Sequence, residues 1–360
     1  MKKKSLAGLI ETLMRCPAAP YFEDLPMEAV AQICQTNGIK MQKDRFGNLL
    51  IGAAKPSAIR MLMVAHLDHP GFRVLSKEGK GVFKAEFLGG VPSEYFKKGI
   101  SLRLFPGNEP AALGRKIDGQ TLQFEIKTLR KVESASFAVW DLPPFKLKGE
   151  MIKGRACDDL VGAASALAVL LEIKGQPAAK HTSVLLTRAE EVGFGGTLAA
   201  GKAGEIPKEA LVVSLETSRE LPPVRMGKGV ILRVGDRASI FDPRASRFFH
   251  ELALGLAEKK KNFQYQRALM SGGTCEGTAW QEYGYTVAAL CVALGNYHNC
   301  GRNEEIRPEF VDLSDVKNMV TLLSEGAKSL ADKLSSPTLL HARLEKLASE
   351  ATPQLLKRVP

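Results

Sequence analysis

Long apolar runs are missing from this sequence. No stretch of about 18 apolar residues occurs, so no membrane-spanning helix is expected. Cysteine is scarce as well. Cys16, Cys34, Cys157, Cys275, Cys291 and Cys300 form no Cys-x-x-Cys pair, and a chain of 360 residues can bury a core without disulfide staples. They are expected to be reduced and packed. Several catalytic signatures are absent too. There is no Gly-x-Ser-x-Gly elbow, no Walker loop and no His-Glu-x-x-His helix. The glycines at 193–196 and 227–229 do not match a dinucleotide fingerprint. The basic start Met1-Lys2-Lys3-Lys4 leads into a stretch broken by Glu11 and Arg15, with no small-residue cleavage pattern. A secretory leader is therefore rejected, and a cytoplasmic location is expected.

Hydrophobic residues make up 45% and charged residues 25%, the balance of a soluble globular protein. The length exceeds one average domain, so two are expected. The formal net charge of +11 raises nucleic acid as a partner. However, the basic residues are scattered, and the densest run, Lys259-Lys260-Lys261, closes a predicted helix. A solvated helix end accounts for it, so no nucleic-acid partner is expected. An anionic substrate stays open.

Helical periodicity covers 5–16 and 27–36, with Ser5 as a cap for the first and Gly38 after the second. Asp44-Arg45-Phe46-Gly47-Asn48 reads as a turn into a strand, and the apolar run 61–65 ends at His66. Between about 72 and 150 the helical pattern disappears. Short strands such as 82–88 and 100–105 are separated by Gly, Pro and Asn turns, which predicts an inserted small β barrel or sandwich. From 152 the alternation returns. Helices are predicted at 159–173, 243–261 and 312–334, with strands at 182–187, 210–215 and 286–293. Pro243 suits the first turn of its helix. This predicts an α/β fold, a mainly parallel sheet flanked by helices, with ligands at the carboxyl ends of the strands. The expected organisation is a discontinuous α/β domain over 1–71 and 152–335, an inserted β barrel over 72–151, and a helical tail over 336–360, after Ser335-Ser336-Pro337.

Five stretches end in residues that can hold metal. They are Ala65-His66-Leu67-Asp68, Cys157-Asp158-Asp159, Ala189-Glu190-Glu191, Ser214-Leu215-Glu216 and Asn296-Tyr297-His298. Each residue alone has a plain structural explanation. A strand-end His66 can be structural, Asp158-Asp159 can cap a helix, Glu190-Glu191 can sit in a surface turn, and Glu216 can face solvent. Together they suit two divalent ions. His66, Asp158 and Glu216 complete one set of three ligands, and Asp158, Glu191 and His298 the other, with Asp158 bridging because a carboxylate has two oxygens. Asp68 can orient His66 from behind, and Glu190 is placed to act as general base on a metal-activated water. Asp159 fits the cap better than the bridge. His69, His181, His250 and His341 lack such partners and read as surface or packing histidines, with His69 close enough to the set to matter.

These motifs, together with Val192-Gly193-Phe194-Gly195-Gly196 and Gly272-Gly273-Thr274, occur in an order that resembles the dinuclear zinc exopeptidases. The chain looks most like the glutamyl/deblocking aminopeptidases that build tetrahedral assemblies, over roughly residues 5–334. The resemblance implies a catalytic α/β domain split by a small β barrel used in dimerisation, and aminopeptidase activity on peptides with zinc or cobalt. It implies the same roles: Asp158 bridging, His66 and Glu216 on one ion, Glu191 and His298 on the other, Glu190 as base and Asp68 as support. The sequence departs from that pattern in four places. Glu216 stands where Asp is usual, Leu160 where Arg is usual, and His69 where an acid is usual. Cys275 replaces the Asp after Gly-Gly-Thr, with Glu276 beside it as a substitute. The expected ligand set is complete, while its surround differs.

The sequence therefore predicts a metal-dependent aminopeptidase with two divalent ions per chain, peptide substrates, no membrane partner, and assembly into a dimer or dodecamer. The alternatives are a metal-dependent deacylase or amidase on N-acyl compounds, and a non-enzymatic relative with a relic site.

Overall fold

The computed structural model describes residues 5–117, 121–333 and 339–356. The start Met1–Lys4 and the Ser335-Ser336-Pro337 break lie outside them. The chain opens with helices α1 (Leu6–Met14) and α2 (Asp24–Asn37), then strands β1 (Met41–Lys43), β2 (Leu49–Ile51) and β3 (Met61–His66). A run of strands follows: β4 (Gly71–Gly79), β5 (Val82–Leu88), β6 (Ser101–Phe105), β7 (Glu109–Lys116), β8 (Gln123–Lys127) and β9 (Phe137–Trp140). Strands β10 (Lys146–Lys148) and β11 (Met151–Gly154) lead to helix α3 (Leu160–Ile173). Next come β12 (Thr182–Thr187), α4 (Gly195–Ala203), β13 (Leu211–Arg219), β14 (Val230–Gly235) and α5 (Pro243–Lys259). The chain ends with β15 (Tyr265–Leu269), α6 (Glu276–Glu282), β16 (Thr286–Leu294), β17 (Glu309–Asp312), α7 (Leu313–Lys333) and α8 (Leu339–Leu356).

Eight strands form one sheet in the order β1-β2-β12-β3-β13-β16-β14-β15. The central pairs β12/β3, β3/β13 and β13/β16 are parallel. Every residue of β3 and β12 is buried. Such continuously buried strands need helices on both faces, because neither side of the sheet can meet water. One face packs against α1, α3, α5 and α7 through residues such as Leu13, Leu167, Phe249 and Met319. The other packs under α4 and α6 through Ala200, Phe241 and Trp280. The α/β architecture expected from the alternating pattern is the one observed.

Strands β4-β5-β8-β7-β6-β9 close into a barrel. Its interior is aromatic: Phe72 packs edge-on against Phe87 and Trp140 at 4.9 and 5.1 Å, a favoured arrangement of ring quadrupoles. Strands β10 and β11 stand apart from the barrel and pair instead with β17. Register places Gly154 opposite Glu309, next to the turn that precedes α3.

Some boundaries differ from the sequence reading. Helix α2 starts at Asp24 rather than 27, with Pro26 in its first turn, where no amide hydrogen is required. Strand β13 runs to Arg219 rather than ending at 215. Ser5 caps α1 as expected, accepting the Gly8 amide at 3.2 Å. Asp159 caps α3, accepting the Gly162 amide at 3.2 Å.

Leu167 on α3 is fully buried between sheet and helices. Leu167→Ala should cost about 2–5 kcal/mol, read as a lower urea midpoint at unchanged slope. A midpoint within error of the parent chain would remove α3 from the core.

Candidate metal centre

Four neighbouring parallel strands deliver side chains to one edge of the sheet. His66 is the last residue of β3, and Glu190 and Glu191 follow closely on the end of β12. Glu216 lies within β13, beside Cys291 of β16, and is only 6% exposed. His298 follows β16 in left-handed backbone, with φ 53. Asp158 arrives from the turn before α3. These are the carboxyl ends of the strands, where parallel sheets open a crevice.

The side chains converge. Nε2 of His66 lies 3.5 Å from Oδ1 of Asp158. Nε2 of His298 lies 3.8 Å from Oδ2 of Asp158 and 3.1 Å from Oε2 of Glu191. Ligand atoms of His66, Asp158 and Glu216 lie within 4.8 Å of one another, as do those of Asp158, Glu191 and His298. His66, Glu190 and Glu191 make a third such group. Asp158 belongs to two of the groups and turns one oxygen toward each imidazole.

A carbonyl orients each imidazole. Nδ1–H of His66 donates to the Asp68 carbonyl at 3.1 Å, and Nδ1–H of His298 donates to the Gly90 carbonyl at 2.8 Å. A carbonyl can only accept, so Nδ1 carries a hydrogen and Nε2 is the nitrogen that faces the carboxylates. Asp68 supports His66 through its main-chain oxygen. Its carboxylate, 3.6 Å from Nδ1, accepts the amides of Glu190 and Glu191 at 3.0 and 3.1 Å.

Two further buried carboxylates organise the site, and sequence reasoning missed both. Glu309 accepts the amides of Cys157 and Asp158 at 2.7 and 3.1 Å through one oxygen, and that of His298 at 2.8 Å through the other. Glu23 accepts the Ala189 amide at 3.0 Å and pairs with Arg188 at 2.7 Å. An acid at the head of a short strand or just before a helix gives no sequence signal beyond an ordinary solvated end. Glu276, noted beside Cys275, is fully buried and accepts the hydroxyls of Thr187 and Thr197, which flank the Glu190-Glu191 turn. His69 is buried as well, hydrogen-bonded to Asp158 and Asn299. His181 and His250 lie elsewhere, against Ala327 and Tyr265.

So many acids in one dry place perturb one another. Burial, with help from Asp158, pushes Glu216 up to about 8 against the opposing charge of His66. Burial and the nearby Glu216 and Glu191 hold Glu190 well above the usual carboxylate range. Burial lifts Glu309 to about 7. Burial lowers the His298 imidazole, but Glu191 and Asp158 outweigh it and raise the group to about 9. Asp158 alone in this set is held low, because hydrogen bonding and charge from His66 overcome burial. Asp158 Oδ1, Glu191 Oε1 and Glu216 Oε1 are buried without a hydrogen-bond partner. Unpartnered buried carboxylate oxygens are costly, and divalent cations bound in these groups would satisfy them. Two imidazoles with carboxylates are donors that suit zinc or a similar ion.

Residues 117–322, more than half of the chain, match the family model of the M42 glutamyl aminopeptidases. The chain belongs to that family. It is an M42 aminopeptidase, a hydrolase, as its motif order implies. A relative from Acetivibrio thermocellus, named provisionally as an aminopeptidase, is 24% identical over 91% of this chain and 99% of its own length. The TET1 peptidase of Pyrococcus horikoshii aligns with TM-score 0.71 at 18% identity, covering 90% of this chain and 99% of that one. The TET aminopeptidase of Thaumarchaeota archaeon SCGC AB-539-E09 aligns with TM-score 0.72 at 22% identity, covering 89% and 96%. At these identities the structural likeness speaks for the fold. This M42 aminopeptidase has, among its described residues, no helix long and apolar enough to cross a membrane.

Glu216, Glu309 and His298 all hold protons more tightly folded than unfolded. In the presence of chelator, the folded chain therefore carries extra protons between about pH 5 and about pH 9, and stability falls as pH rises through that window. Thermal melting should show this decline, and zinc should flatten it. A flat profile in chelator would show that these groups do not titrate as a buried acid cluster.

Proposed function

We propose that this M42 aminopeptidase removes amino-terminal residues from peptides at a centre of two divalent ions, zinc being the best fit and cobalt the next. The observation that carries the reading is Asp158, whose two oxygens face His66 and His298 in two separate ligand groups. His66, Asp158 and Glu216 would hold one ion, and Asp158, Glu191 and His298 the other. Bound there, the ions would polarise the scissile carbonyl and acidify a water.

The protein's own part follows from position. A cleft opens on the centre, lined by His66, Asp158, Glu190, Glu216 and His298 together with Arg233 and Tyr297. Glu190 reaches this cleft with an 11% exposed side chain, whereas Glu191 is 4% exposed and turned to His298. That division makes Glu190 the base and Glu191 a ligand. Glu190 takes a proton from the attacking water and returns it to the leaving amine, so its carboxyl must trade a proton near neutral pH. Burial raises its pKa, and a nearby cation would bring it back toward that range. Asp68 holds the Glu190 and Glu191 amides and so fixes both side chains. The acid-rich cleft favours a free ammonium terminus over a neutral N-acyl group.

Glu190→Gln should keep about two equivalents of zinc and lose at least 100-fold in kcat, because an amide cannot accept the proton. Full turnover in that variant excludes Glu190 as base. Assayed in parallel, aminoacyl anilides should be cleaved and N-acyl amino acids left intact; the opposite pattern would make the chain a deacylase. Zinc-free protein after metal reconstitution would point to a relic site.

The β4–β9 barrel is proposed as the dimer contact, and a tetrahedral dodecamer as the full assembly. The TET1 peptidase of Pyrococcus horikoshii is described as assembling into a tetrahedron or a large octahedral shell. Light scattering should give a particle of several times the 39.1 kDa subunit. A monomer at micromolar concentration would refute the assembly.

A further inference from the structure

We propose that His69 is a positioning residue that ties the Asp158 turn to the His298 loop. The side chain is 2% exposed and bridges the two segments. Nδ1 lies 2.9 Å from the Asp158 carbonyl oxygen, and Nε2 lies 3.0 Å from Oδ1 of Asn299. The orientation of Asn299 is fixed independently, because its Nδ2 donates to the carbonyls of Arg155 and Arg307 at 2.8 and 3.2 Å. Its oxygen is thus left facing His69. Both partners of the ring are acceptors, so the ring serves them as a donor and not as an acceptor.

Glu309 makes the complementary tie. It accepts amide hydrogens from the same two segments, at Asp158 and His298, while His69 donates to their oxygens. The two loops are therefore held from both polarities, by one buried acceptor and one buried donor. An acid at position 69 could not donate to either oxygen. The residue that departs from the family pattern is thus matched to the oxygens around it. The His69 ring also stands edge-on to the His298 ring, with centroids 6.4 Å apart.

The inference builds on the metal-centre reading, and the test separates the two. His69→Phe keeps a planar ring without donors, and His69→Gln keeps an amide donor. On metal-free protein, hydrogen–deuterium exchange should quicken in 156–160 and 296–301 in the Phe variant, less so in the Gln variant, and remain unchanged in the barrel strand β5. Zinc calorimetry should show about 10–100-fold weaker binding for His69→Phe and partial recovery for His69→Gln, the usual scale for groups that orient ligands. Unchanged exchange in both segments of the folded His69→Phe variant overturns the proposal, as does an equal effect of His69→Gln and His69→Phe. If the parent chain binds no zinc, the metal-centre reading fails, and the exchange comparison alone decides the role of His69.

Discussion

Buried negative charge at one edge of the sheet is the constraint on which the rest of the structure depends. Asp158, Glu190, Glu191 and Glu216 crowd within reach of two imidazoles, with Asp68, Glu276 and Glu309 just behind. No fold gathers carboxylates in this way for stability alone, because each costs free energy to dehydrate and repels the next. The raised carboxyl groups and unpartnered oxygens express that cost in the protein by itself. A pair of divalent ions would turn the same arrangement into a favourable one.

The scaffold meets this demand with rigid geometry. Parallel strands β12, β3, β13 and β16 stand in register, so residues far apart in sequence reach the same level. The turns that carry these side chains are then held by their backbones. Asp68 grips the Glu190-Glu191 turn, Glu23 grips its approach, and Glu309 grips both the Asp158 turn and His298. A charged acceptor on a backbone amide is among the stronger hydrogen bonds available. Side chains fixed in this way would need little reorganisation to hold a cation. The barrel takes part too, since the Gly90 carbonyl after β5 sets the tautomer of His298.

Much of this was legible in the sequence because apolar strands ending in His, Asp or Glu break the usual pattern. A buried strand that stops at a charged residue is informative in itself, and five such endings in one chain are more so. The α/β alternation and the change of character near residue 72 were readable for the same reason: periods of 3.6 and 2 differ. Glu309 and Glu23 were hidden, because an isolated acid looks the same whether it meets water or three amides. His69 was hidden for a related reason, since its partners are a main-chain carbonyl and an asparagine 230 positions away.

The sequence by itself determined the fold class, the family pattern and the residue types able to bind metal, because these depend on local periodicity and on short motifs. Only the tertiary structure decided how those residues are divided. It turned the two oxygens of Asp158 toward different imidazoles, put Glu191 beside His298 and Glu190 in the lining of the cleft, and set Glu216 inside a strand rather than at its end. Such decisions rest on register between distant strands and on hydrogen bonds between turns. Those distances exist only once the chain has folded.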